Sequence, residues 1–381
     1  MKSVYLDHAA STPVHPEVAK RMMNVMTSQY GNASSVHAFG REAKKIVNGA
    51  RDRIASWLGC HSDELVFTAG GTESDNLAVL GLLGSLGVDG RHVITSAVEH
   101  HAVLHTCHEL ERRGCQVTYV PVDPTGRVSV EDIAGAIQDN TALVTIMYGN
   151  NEVGTVQPIA EIGELCRSRG IVFHTDAVQA LGSEAINCRE LPVDMWSFSA
   201  HKINGPQGVG ALVVRRGLSV SPRLFGGLQE KKRRAGTENM AGIAGFAAAV
   251  EWTVQNMETR IQHYSELRST LLEGLRQEIG ENSFVINGNP EHYLPHILNI
   301  SFPGADTETM LMNLDMEGIA AASGSACTSG SLEISHVLRA MKLSDPVLRS
   351  AIRFSFGLGN TTQEMEYTAQ KIGTILNRLR K

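Results

Sequence analysis

The chain has 381 residues, with 34 Lys+Arg against 40 Asp+Glu for a formal net charge of −6, 42% hydrophobic and 19% charged residues. That length buries a sizeable core and fits one large domain with a smaller satellite, and the composition excludes a disordered or collagen-like chain. The negative balance argues against direct nucleic-acid binding.

The N-terminal MKSVYLDHAASTPVHPEV carries no apolar stretch of the signal-peptide kind. The longest apolar run, around Leu77 to Val88, is broken by glycines and is far shorter than the roughly 20 residues of a membrane span. No membrane partner is expected. Tyr5–Ala10 has no helical pattern and is expected to pack between two domains. From about Asp63 to Val214, short β-branched runs alternate with helical patterns. The runs are 65–68, 92–95, 116–120, 143–147, 171–174, 195–199 and 210–214; the helical stretches include 73–86, 101–113, 130–137 and 159–169. This rhythm predicts an α/β fold with a mainly parallel seven-stranded sheet covered by helices. Past Met257 the pattern changes: Ile261, Tyr264, Leu267, Leu271, Leu275 and Ile279 recur at helical spacing. Short strands at 284–287, 297–301 and 351–356 and helices at 307–317, 336–341 and 363–379 complete a smaller α+β domain. The expected boundaries are 14–257 for the large domain and 258–381, with 1–13, for the small one. The six cysteines show no CxxC pair and no zinc-like spacing. Five of them sit in or beside apolar or amphipathic stretches and read as buried thiols of a reducing compartment, the cytoplasm.

In sheets of this kind ligands sit beyond the carboxyl ends of the strands, and three strand ends carry unusual chemistry. Strand 65–68 runs into Ala69-Gly70-Gly71-Thr72 and a helix follows at once, which makes either an anion cradle or a plain helix cap. Strand 171–174 delivers Asp176 and Gln179; the aspartate suits a protonated ring nitrogen or an ordinary loop cap. Strand 195–199 delivers Ser199-Ala200-His201-Lys202 before a glycine-rich turn. A lysine so placed is a candidate amine nucleophile toward a carbonyl. Together, in this order, they resemble the kit for pyridoxal 5′-phosphate: a phosphate cradle, an acid for the pyridinium and a lysine able to form a Schiff base.

The chain closely resembles the cysteine desulfurases of the NifS/IscS type, in the class V aminotransferase group of fold-type I pyridoxal-phosphate enzymes. The resemblance rests on YLDHAAST, GNASSVH, FTAGGTESDN, TSAVEHHAVLHTC, NNEVGTVQPI, HTDAVQALG, SFSAHKINGPQGVGAL, RRAGTEN, SGSACTSGS and IRFSFG. It implies that Lys202 carries the cofactor, Asp176 pairs with its ring nitrogen and Gln179 with its ring hydroxyl. Gly71, Thr72, Ser199 and His201 would bind the phosphate, joined by Thr237 from the neighbouring subunit of a homodimer. His100 would stack on the ring and move protons, and Asn151 would touch the cofactor. Asn32, Asn151 and Arg353 would hold the carboxylate of L-cysteine. Cys327 would be the nucleophile that takes the sulfur as a persulfide and passes it to an iron–sulfur scaffold or a tRNA-thiolating enzyme. No resident metal is implied beyond a transient iron–sulfur ligand role for Cys327. Selenocysteine lyase, or another class V aminotransferase, is the alternative chemistry; a scaffold that has lost catalysis is disfavoured by Lys202, Asp176 and Cys327 all being in place.

Cys327 lies in a Gly/Ser-rich stretch, 322–331, which suits a mobile loop. With a reference pKa of about 8.5 its thiol needs an activating group, and His100 is the first candidate. Three features stand apart. Leu228 occupies a position where the family often has a third consecutive glycine. Lys231-Lys232-Arg233-Arg234 reads as a solvated loop that adds positive potential near the phosphate site. His101, His105 and His108 share a helix with His100, and read as helix-face histidines rather than a metal site.

Overall fold

The computed structural model describes residues 3–324 and 334–379. Its centre is a seven-stranded sheet of β2 (Leu65–Thr68), β3 (His92–Ser96), β4 (Gln116–Val120), β5 (Thr141–Thr145), β6 (Val172–Asp176), β7 (Met195–Ser199) and β8 (Gly210–Val214). The spatial order is β2-β8-β7-β6-β5-β3-β4. β8 runs antiparallel to both neighbours, and the remaining pairs are parallel. Successive strand residues alternate faces. Phe67, Ile94, Val144, Trp196 and Val213 enter one core, and Val66, Val93, Leu143, Met195 and Leu212 enter another.

Helices α3 (Gly71–Leu86) and α4 (His101–Arg112) cover the second face. The first is covered by α2 (Ala38–Leu58), α5 (Val130–Ala136), α6 (Ile159–Arg169) and α7 (Met240–Gln255). α1 (Pro16–Ser28) packs on α7. The strand-and-helix alternation misses α1, α2 and α7, which lie outside the β-α rhythm; α7, MAGIAGFAAAVEWTVQ, is too uniformly apolar to show an amphipathic period.

A three-stranded antiparallel sheet of β9 (Val285–Asn287), β10 (Ile297–Ser301) and β12 (Ala351–Ser355) has the order β12-β10-β9. It packs with α8 (Met257–Ile279), α9 (Thr307–Met316) and α12 (Thr362–Leu379) around a separate core that includes Leu267, Leu271, Phe302, Phe354 and Ile372. The N-terminal β1 (Val4–Tyr5) pairs in parallel with β11 (Ile319–Ala320), and Val4 and Leu6 bury in that core. The short helices α10 (His336–Ala340) and α11 (Asp345–Leu348) precede β12. Val337, Leu338 and Met341 of the α10 segment bury with the core of the large sheet, so this part of the chain bridges the two units. Cys60, Cys107, Cys115, Cys166 and Cys188 are buried free thiols, and burial pushes Cys60 and Cys166 up to about 12. No helix among the described residues is long and apolar enough to cross a membrane.

Candidate active site

The carboxyl ends of β2, β6 and β7 lie at one edge of the sheet, so three distant stretches of sequence meet there. They line a cavity of about 400 Å³ together with Ala9, Ala10, His100, Met147, Asn151, Arg353 and Gly324. A larger hollow of about 830 Å³ lies between α2 and residues 228–238, and none of the three polar strand ends lines it.

The β2–α3 junction is built for close backbone approach. Gly70 has φ 153° and ψ −175°, a region that essentially only glycine occupies. A Cβ on Gly210, in the neighbouring β8, would stand 2.7 Å from the Gly70 Cα. α3 then begins with no side-chain cap, leaving its first N–H groups and its positive dipole end toward the cavity. Ser199 Oγ, buried and without a hydrogen-bond partner, completes this corner with His201, whose Nδ1 is 3.3 Å from Ser11 Oγ. Thr72 and Gly71 line the same wall. An uncapped helix terminus beside an unpartnered buried hydroxyl is a fit for a phosphate group.

Asp176 ends β6 inside the sheet, where burial raises its carboxyl to about 6 against the lowering effect of the Val178 N–H, which donates to Oδ1 at 2.9 Å, and of the Lys202 charge. Lys202 follows β7 on a short 3₁₀ turn, and its Nζ donates to the carbonyls of Ala9 (2.5 Å) and Ala10 (2.8 Å). Gln179 Nε2 also donates to the Ala9 carbonyl, at 2.9 Å, and Gln179 Oε1 lies 3.3 Å from His296 Nε2. The N-terminal segment therefore does pack between the two units, as the sequence suggests, and it positions the lysine.

His100 caps α4: its Nδ1 accepts from the Ala102 N–H at 3.1 Å, so in the neutral ring the proton sits on Nε2. Burial, reinforced by the Lys202 charge, lowers its pKa to about 4. Arg353, buried on β12, donates from NH1 to the Asn151 carbonyl (2.9 Å) and from NH2 to Asp7 Oδ1 (2.7 Å), while its buried Nε–H has no partner among the described residues. A carboxylate is the natural acceptor for that edge. Asp7 and the Ala9 and Ala10 carbonyls are functional neighbours that sequence reading did not single out within YLDHAAST, because nothing in local spacing ties them to residues almost 200 or more positions away.

Two expected residues are not in this cavity. Thr237 is exposed on the surface. Asn32 is also exposed, and its Oδ1 accepts from the Ser34 N–H at 2.8 Å; within this chain it is not brought to the cavity. Cys327 lies outside the described residues.

The basic run divides. Arg234 pairs with Glu73 in the first turn of α3 at 2.9 Å, and Arg233 donates to the Asp63 carbonyl at 2.9 Å, while Lys231 and Lys232 are exposed. Leu228 has φ −95°, so its side chain introduces no backbone strain where a glycine was expected. His101 and His105 have ring centroids 5.0 Å apart, yet the only metal-like convergence of acids, thiols and imidazoles among the described residues is Asp75, His100 and Asp176, inside the cavity itself.

The family described as aminotransferase class-V matches residues 4–368. A putative cysteine desulfurase IscS 1 from Bacillus subtilis is 48% identical over 381 residues and covers all of both chains. Cysteine desulfurase IscS from Dictyoglomus turgidum is 44% identical, covering 100% of this chain and 96% of its own. Among solved structures, a NifS-like protein superposes with a TM-score of 0.93 at 36% identity, over 99% of this chain and all of its own. SspA, solved in complex with cysteine, gives 0.82 at 35% identity, over 93% and 99%. This chain belongs to the class V aminotransferase family, in its NifS/IscS branch of cysteine desulfurases.

Proposed function

We propose that in this pyridoxal-phosphate-dependent cysteine desulfurase Lys202 holds the cofactor, Arg353 holds the carboxylate of L-cysteine, and Cys327 takes the sulfur and delivers it to a protein acceptor. The observation that carries the reading is the meeting, in one cavity, of Lys202, buried Asp176, the uncapped α3 terminus and Arg353. Gly71, Thr72, Ser199 and His201 bind the phosphate, with Thr237 supplied by the partner of a homodimer. Asp176 would keep a proton on the ring nitrogen, Gln179 would hydrogen-bond the ring hydroxyl, and Asn151 would touch the cofactor. When bound, the cofactor supplies an electron sink for the pair left at the substrate α-carbon.

The chain's own groups do the rest. The Lys202 amine removes and returns protons at that carbon, held close by the Ala9 and Ala10 carbonyls. Arg353 turns its Nε edge to the substrate carboxylate, and Asp7 fixes the guanidinium plane. His100 is neutral at physiological pH and offers its Nε2–H as a hydrogen-bond donor rather than a stored positive charge. The Cys327 thiolate forms a bond to the substrate sulfur. The sulfur–β-carbon bond breaks with its electron pair going to carbon, and protonation there completes L-alanine. The enzyme is left with Cys327–S–SH, and the Gly/Ser-rich stretch carries it to an iron–sulfur scaffold or a tRNA-thiolating enzyme in the cytoplasm. The large domain spans 14–257, and the small domain, 258–381 with 1–13, bears the Cys327 segment.

The test is to incubate holoenzyme with L-cysteine and quantify alanine, sulfide and Cys327 persulfide by mass spectrometry. Cys327→Ser is expected to keep the cofactor's visible absorption and to lose more than about 100-fold of alanine formation. Normal turnover in that variant would overturn the nucleophile assignment.

A further inference from the structure

Beside Asp176 in the cavity wall lies a second acid. Asp75, on the second turn of α3, is only 1% exposed. One oxygen of Asp75, one of Asp176 and one ring nitrogen of His100 all lie within 4.8 Å of one another. Two carboxyls that close in a dry site do not both ionise. Asp176 has the better claim to the charge: the Val178 N–H donates to it, and Lys202 acts on it favourably. Asp75 has neither. Its Oδ1 has no hydrogen-bond partner among the described residues, and burial first, then the nearby Asp176 charge, keep it protonated against the smaller lowering effect of the Ser197 hydroxyl. Glu99, at the β3–α4 junction, is itself pushed up to about 8 by burial, so it too is neutral at physiological pH.

A chain of polar groups leads away from Asp75 under the sheet. The Ser197 hydroxyl on β7 is its polar neighbour. Ser197 Oγ is 3.0 Å from His174 Nε2, which itself lies 3.8 Å from Asp75 Oδ1. His174 Nδ1 is 2.8 Å from Thr145 Oγ1 on β5. Burial holds the His174 imidazole neutral, with its pKa lowered to about 3, so the approach to Asp75 is a meeting of two neutral groups rather than an ion pair. One proton serves each contact when the donors run one way, Asp75 O–H to Ser197, Ser197 O–H to His174 Nε2 and His174 Nδ1–H to Thr145, with Asp75 Oδ1 left without a partner among the described residues.

We propose that Asp75 is a positioning residue, held as a neutral carboxylic acid at the head of the buried Asp75–Ser197–His174–Thr145 chain, and that it leaves Asp176 as the one anion for the cofactor's ring nitrogen. The proposal rests on the cofactor site described under the proposed function. Sequence spacing alone does not single out Asp75, which reads as one more polar residue of FTAGGTESDN.

The experiment is a pH titration of the visible band of the Lys202-linked cofactor in purified holoenzyme, with the cofactor dissociation constant as a second readout. Asp75→Asn keeps the shape and the neutrality, and is expected to titrate within about 0.3 unit of the native enzyme and to bind cofactor equally well. A downward shift of about one unit or more would mean that Asn had removed an anion, and would overturn the proposal. Asp75→Leu removes the donor and is expected to weaken cofactor binding about tenfold and to move the band's pKa by more than about 0.5 unit. An unchanged Asp75→Leu would equally overturn it. If that variant does not fold, Ser197→Ala breaks the chain one link further on and is expected to give the same two changes; with both unchanged there, the chain has no role. Lys202→Ala separates the underlying reading: were the lysine-linked band to survive in it, the cofactor site itself would be misassigned.

Discussion

Single residues show why burial matters more than residue type. Glu230 would pass as one charge among several in QEKKRR, yet its side chain is 3% exposed and forks onto Arg51 at 2.5 and 2.8 Å. It also accepts from the Phe67 N–H at 2.9 Å, while the Arg51 guanidinium lies over the Phe67 ring at 4.6 Å. Glu230, Lys231 and Lys232 all have positive φ, at 47°, 56° and 69°. Such a run of non-glycine residues is strained and persists only where its surroundings over-determine it; the Glu230 anchor does so here. Glu230→Ala is therefore expected to destabilise the protein by about 3–5 kcal/mol, since it strands a largely buried guanidinium and releases the turn. The urea midpoint of holoenzyme measures it, and a loss below about 1 kcal/mol, the range of an exposed pair, would refute the anchoring role. The same contrast applies to His100. The sequence marks it as a proton carrier near neutrality, whereas burial and Lys202 move it to about 4 and leave it a neutral hydrogen-bonding ring.

Among the elements, the strands were the most legible. Runs 65–68, 116–120, 195–199 and 210–214 match β2, β4, β7 and β8 residue for residue; β2, β7 and β8 are short strands buried throughout, and the half-exposed β4 shows its β-branched and aromatic residues. The approach of β8 to the β2–α3 turn was not legible, since it depends on an antiparallel partner about 140 residues away. That approach explains the glycines of the cradle. Gly70→Ala forces a side chain into a backbone region it avoids, at a cost of about 1–3 kcal/mol, and displaces the free N–H groups of α3 from the phosphate position. The expected result is a loss of cofactor affinity of about tenfold or more, read by equilibrium dialysis of the variant. Affinity equal to the native enzyme's would separate the cradle from this turn.

The whole molecule carries a pH signature. His8, His174 and His296 are buried in different parts of the fold, with pKa values lowered to about 4, 3 and 3, chiefly by burial. An unfolded imidazole titrates near about 6.5. The folded values lie below this, so the unfolded chain binds more protons, and stability present above about pH 6.5 is lost as pH falls toward 4. Glu99 acts oppositely: its folded value of about 8 lies above that of an unfolded carboxyl, so it withdraws stability as pH rises from about 4.5 to 8. The urea midpoint, at saturating cofactor, is expected to fall steeply between pH 6.5 and 5, and His296→Asn should flatten that limb. An equally steep limb in the variant would exclude His296 as a source. What the sequence by itself determined was local: strand and helix periods, the order of the three polar strand ends, and the motifs that relate the chain to its family. Those depend on neighbours within a few residues, where pattern and chemistry are written together. Only the tertiary structure decided that Ala9 and Ala10 hold Lys202, that Asp7 holds Arg353, and that Asp75 stands beside Asp176. Charge state and positioning arise from burial and from contacts across as many as 346 residues of chain, and no local pattern encodes them.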